Sequence, residues 1–126
     1  MQLVASHIIN HEAKAVIATF KGDLLMQNAK ELGVKYRIMA KGLGYGFILD
    51  IREANIFVNQ MDIENWFNQT DSDEFEAYKV PTAHVYSEKN RRIIEFTEKR
   101  WSKKGAIGKC FDTLKAAKEF ILSQVG

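Results

Sequence analysis

Gly46-Phe47-Ile48-Leu49-Asp50-Ile51 is the stretch on which the fold turns. It is a short apolar run that ends in an acidic residue, the pattern of a strand buried on both faces. Gly42, Gly44 and Gly46 precede it and read as a helix end followed by a turn. In open α/β sheets, ligands and partners meet the carboxyl ends of strands. The segment from Asp50 to Met61 is therefore the first candidate for a functional edge. Arg52, Glu53, Ala54 and Asn55 follow, then apolar Ile56, Phe57 and Val58.

Upstream, Leu3, Ala5, Ile8 and Ile9 suggest a first strand and Ala13 to Phe20 a second, with Asn10-His11-Glu12 as the hairpin turn. Gly22-Asp23 leads into a helix, with Asp23 as its expected N-cap. Leu25, Ala29, Leu32, Tyr36, Met39 and Leu43 recur at steps of three and four, an apolar stripe of helical period. Gly33 interrupts that stripe at a cost of about 1 kcal/mol relative to alanine.

Downstream, Met61 to Phe67 reads as a helix, with a break or restart over Thr70 to Glu74 and an apolar face continued by Phe75 and Tyr78. Pro81 introduces a strand from Thr82 to Tyr86. Asn90 is the expected cap of a helix reaching Lys103, with Ile94, Thr97 and Trp101 inward. Ala106 to Phe111 forms a fifth strand. Asp112 or Thr113 caps a last helix, whose Leu114, Ala117, Ile121 and Val125 face the sheet. The order ββαβαβαβα predicts an α/β fold with a mixed, mostly parallel five-stranded sheet covered by helices.

The chain has 126 residues, enough for one domain, 1–126, with a core of its own. One cysteine, Cys110, excludes an intrachain disulfide framework and suits a reducing, cytoplasmic compartment. Met1 to His7 lacks the basic and apolar regions of a signal peptide, and no apolar run is long enough for a membrane span. The net charge of +2 is mild but unevenly spread. Asp50 to Glu76 holds eight acidic residues and one basic; Lys89 to Lys118 holds ten basic and three acidic. The two stretches are read as solvated faces, able to meet each other within or between molecules, and no nucleic-acid partner is expected.

The element order, Gly22-Asp23 before the first helix, Leu49-Asp50-Ile51, and the closing run from Cys110 to Ile121 together resemble the STAS-like family. The nearest likeness is to its anti-anti-sigma-factor-like branch, whose fold is also compared with lipid-binding CRAL-TRIO domains. The resemblance implies a non-enzymatic interaction or regulatory module. In signalling members, a phosphorylatable serine follows the strand that ends in aspartate. Here the corresponding Val58-Asn59-Gln60-Met61 has no hydroxyl residue, so that charge switch is not expected.

No set of residues reads as catalytic. Gly42 to Gly46 precedes a strand instead of a helix and lacks the lysine of a phosphate loop. His7, His11 and Glu12 lie close in sequence, but two histidines flanking a turn read as solvated side chains and not as a metal site. His84 reads as a hydrogen-bonded or edge residue of its strand, and Cys110 as a small hydrophobe. Asp50 and Arg52, two apart on a strand, share a side; they read as a salt bridge or a cap. No cofactor is expected.

Two functional readings follow. The first is a protein-interaction module, with a protein partner or a second copy, meeting it through Asp50, Arg52, Asn55, Ile56, Phe57 and Asn59. The second is a carrier or sensor of a small apolar or lipid-like ligand. Its expected pocket is closed, measures a few hundred Å3 and lies beneath the Met61–Lys103 helices. The aromatics Trp66, Tyr78, Phe96 and Trp101 would line it.

Overall fold

The computed structural model describes residues 1–69, 76–103 and 105–126. Its elements are β1 (Val4–Asn10), β2 (Ala15–Leu24), α1 (Met26–Leu43), β3 (Gly46–Ile56), α2 (Gln60–Gln69), β4 (Thr82–Val85), α3 (Arg91–Ser102), β5 (Gly108–Phe111) and α4 (Leu114–Val125). The expected α/β class and mixed five-stranded sheet are present. The strands lie in chain order, with β1 antiparallel to β2 and the remaining neighbours parallel. The expected break over Thr70 to Glu74, and Phe75, lie outside the described residues.

From β2 to β5 each crossover advances one strand in the same direction, and crossovers of one hand place their helices on one face. Two cores result. On one face Val16, Phe20, Phe47 and Ile51 pack against Tyr36 and Ala40 of α1 and Ile94 of α3. On the other, Ile17, Ile48 and Val85 pack against Ala117 and Ile121 of α4. α4 spans β3, β4 and β5, so the edge strand β1 is exposed along most of its length. Close approach explains Gly46, where a Cβ would stand 2.7 Å from Ile121 and 3.0 Å from the Pro81 carbonyl oxygen.

β3 is longer than expected. It runs on past Ile51 to Ile56, so Asp50 stands in mid-strand and not at its end. The cause is a bulge. Thr19 pairs with Asp50 and Lys21 with Glu53, so Ile51 and Arg52 together oppose Phe20. The extra residue shifts the alternation, and Ile51, Ala54 and Ile56 all turn toward α1 and α3. A strict period of two ends at Ile51, which is why the sequence pattern stops there.

β4 ends at Val85, opposite Asp50, so the rest of β3 has no neighbour on that side. Asn90 fills the gap. Its buried Nδ2 donates to the carbonyls of Ile51 (3.0 Å) and Ala54 (3.1 Å). This replaces the expected role, since Asn90 makes no side-chain cap to α3. Asp23 is likewise no N-cap: it belongs to β2, and its Oδ1 accepts from Asn55 Nδ2 at 3.2 Å. Gly44 ends α1 in the left-handed region, φ 71°, and Thr113 caps α4 by accepting from the Ala116 N–H at 3.2 Å.

Candidate functional site

Beneath α1, α2 and α3 the sheet leaves a cavity of about 100 Å3. Phe20, Leu49, Ile51, Thr82 and His84 form its floor. Gly33 and Arg37 reach it from α1, Ile63 and Trp66 from α2, and Ile94 and Trp101 from α3. Ile56 and Val58, brought inward beyond the bulge, close one end. Ser102 and Ile107 are the exposed residues of its lining.

The cavity is smaller and less closed than expected because aromatic side chains fill the space. Tyr78 stacks on Trp101 at 4.7 Å between centroids, and Trp66 stands edge-on to Trp101 at 5.0 Å. Trp66, Tyr78 and Trp101 are among its lining residues, and Phe96, on α3, is not.

The main polar feature is Arg37, which the apolar stripe of α1 did not anticipate. Tyr36, Arg37 and Ala40 make the buried face of that helix with Gly33, whereas Leu25 and Leu43 at its ends are exposed. The guanidinium folds back one turn, and Nη1 donates to the Gly33 carbonyl at 3.1 Å. A Cβ on Gly33 would stand 2.9 Å from that Nη1, so the glycine makes the room. The signal was present in the sequence as a helix-breaking glycine one turn before an arginine.

Arg37 is 7% exposed and has no carboxylate partner among the described residues. Nε is enclosed without an acceptor. Burial pushes its pKa down to about 10, which still leaves the group charged at neutral pH. The rings of Tyr78 (4.6 Å) and Phe47 (5.2 Å) lie under the guanidinium carbon. Each such contact contributes about 0.5–2 kcal/mol, against a burial cost of several kcal/mol per ion.

His84 lies on β4, an inner strand, and not at an edge. Its Nδ1 has no hydrogen-bond partner, contrary to the expectation. Burial, followed by the charge of Arg37, pushes its pKa down to about 3, so the imidazole is neutral near pH 7. Three hydroxyls in the wall are already committed as donors: Thr82 to Val80 O (2.9 Å), Thr97 to Ile93 O (2.7 Å) and Ser102 to Lys99 O (2.9 Å). Cys110 is not part of the cavity wall. Burial, with the Glu98 hydrogen bond and charge behind it, pushes its thiol pKa up, so it stays protonated.

The Asp50–Asn59 residues are arranged differently. Asp50 and Arg52 form a two-pronged pair at 3.0 and 2.8 Å, and the Arg52 N–H also donates to Asp50 at 3.2 Å. Burial raises the Asp50 pKa, but Arg52, with help from Lys21, reverses this and holds it below its ordinary value. Asp50 stands on the sheet face opposite the cavity, alternating with Leu49 and Ile51. Asn55 donates to Asp23 and accepts from Lys89 Nζ at 3.1 Å. Asn59 opens α2: the Asp62 N–H donates to its Oδ1 (2.9 Å), and its own N–H donates to Asp62 Oδ2 (3.1 Å). Ile56 faces the cavity, whereas Phe57 is exposed beside Leu25 at a shallow hollow. Across the charged stretches, Glu64 of α2 pairs with Arg100 of α3 at 2.6 Å.

Among the described residues, no three of His, Cys, Asp or Glu gather as metal ligands. No described helix is long and apolar enough to cross a membrane. In comparisons with protein-family models, curated proteins and solved structures, nothing matches this chain. What the fold and cavity define is an α/β protein with a small, mainly apolar cavity whose wall, among the described residues, holds the buried cation Arg37 and the carboxylate Glu98.

Proposed function

We propose that the protein is a non-enzymatic carrier or sensor that holds a small, largely apolar molecule between its sheet and α1, α2 and α3. The cavity carries this reading: apolar and aromatic side chains from three helices converge on one hollow, whose lining includes the exposed Ile107. The ββαβαβαβα order, with the last helix on the sheet face opposite α1 and α3, supports keeping the STAS-like relationship within the proposal. A cytoplasmic setting accords with the protonated, unpaired Cys110.

The test is native mass spectrometry of the freshly purified protein, followed by thermal shifts with a panel of small apolar compounds. The expected result is an added mass lost on denaturation, or a rise in Tm that grows with ligand concentration. A hundredfold excess over Kd corresponds to about 2.7 kcal/mol of added stability. Neither an adduct nor a shift across the panel would remove the reading.

The interaction-module reading rests on the exposed Phe57 and Leu25 and on Met61 at the start of α2. Phe57→Ser separates the two readings. It disrupts association seen by sedimentation if that surface is used, and leaves cavity binding intact.

A further inference from the structure

We propose that Arg37 is an anion anchor and that the molecule held in the cavity is a small monocarboxylate, its carboxylate paired with the guanidinium and its apolar part lying along the cavity toward Ile107. This deepens the ligand-carrier reading and rests on it.

Arg37 carries a full positive charge in an apolar setting, with a hydrogen bond to a backbone carbonyl and no carboxylate partner among the described residues. Nε is sealed in without an acceptor. A buried charge left in this state is costly unless something pairs with it. An anion from outside the chain supplies that partner, and guanidinium matches the two oxygens of a carboxylate in a parallel, two-pronged contact.

The chemical class follows from charge balance. Glu98 of α3 also lines the wall, but it is hydrogen-bonded to Cys110 and forms no ion pair with Arg37, so the guanidinium is left to be neutralised by one negative charge from a ligand. Its titratable neighbour His84 is held neutral, and the hydroxyls of Thr82, Thr97 and Ser102 have given their protons to backbone carbonyls. A phosphate dianion would find a single counter-charge. A neutral alcohol would leave the guanidinium as unpaired as before. The apolar wall, with Ile51, Ile63, Ile94 and Trp66, suits an aliphatic or single-ring body. An engineered cavity of about 150 Å3 takes benzene, so about 100 Å3 suits a short chain whose far end reaches Ile107.

The experiment compares hexanoate, 1-hexanol and inorganic phosphate by isothermal titration calorimetry on the full chain and on Arg37→Met. On the unmodified protein, hexanoate is expected to bind at least tenfold more tightly than 1-hexanol, with no heat from phosphate. In Arg37→Met the preference reverses, because the cavity keeps its apolar walls and loses its charge. If 1-hexanol binds as tightly as hexanoate to the unmodified protein, the anchor is overturned and the ligand-carrier reading stands. Phosphate that binds as well as hexanoate overturns the carboxylate class. Binding of none of the three overturns the anchor; the carrier reading is then decided by its own panel. The acid-to-alcohol comparison needs no variant, so it decides the matter even if Arg37→Met does not fold.

Discussion

At the residue scale, Gly33 and Arg37 form one device within a turn of α1. A glycine in a helix interior costs about 1 kcal/mol relative to alanine, and here its missing side chain leaves the space the guanidinium occupies. Gly33→Ala is therefore expected to hold or raise Tm, since the clashing Nη1 is the far end of a flexible chain. It is also expected to weaken hexanoate relative to 1-hexanol, because the guanidinium must move. An unchanged preference in calorimetry would break the link between the two residues. His84 supplies a pH dependence. Its folded pKa of about 3 lies below the ordinary 6.5, so between those values the unfolded chain binds the extra proton and stability falls as pH falls. The loss is at most about 4–5 kcal/mol and shrinks as solvent reaches the ring. Asp50 acts in the same direction, but only below its ordinary 3.8. Thermal melts from pH 7 to pH 4.5 should show a decline that His84→Gln flattens. An equal slope in both proteins would exclude His84 as its source.

At the scale of elements, the bulge in β3 and the side chain of Asn90 belong together. The bulge turns Ile51, Ala54 and Ile56 to one face, and β4 is too short to reach the carbonyls beyond Asp50. Asn90 satisfies two of them from within the core. Asn90→Ala leaves both buried without that donor, which costs about 1–3 kcal/mol. Thr113→Ala removes the hydroxyl that caps α4, at a cost of about 1 kcal/mol. Urea denaturation at unchanged slope should rank the two variants in that order; the reverse ranking would mean that the carbonyls of Ile51 and Ala54 find water. None of this is legible in the sequence. Asn90 before a helical pattern has the composition of an N-cap, and its choice of a distant carbonyl depends on where β4 stops. The helices are legible to within one to three residues, because apolar spacing and caps are local signals.

At the scale of the whole molecule, the sheet separates two sets of residues that the sequence placed together. Asp50 and Arg52 lie on the α4 side, and the cavity lies on the side of α1, α2 and α3. Asp50→Asn should therefore lower Tm modestly, by about 1 kcal/mol of weakened pairing, and leave hexanoate titrations unchanged. A loss of binding equal to that of Arg37→Met would place the site on the wrong face. The α/β class and the order of elements were determined by the sequence alone, since periodicity, caps and turn residues act over a few positions. Only the tertiary structure decided that Arg37 is buried, that His84 stands beside it and that Asp50 faces away. Burial of a charge depends on what other elements place around it, and the parity of β3 depends on a bulge that is defined only against its neighbour β2.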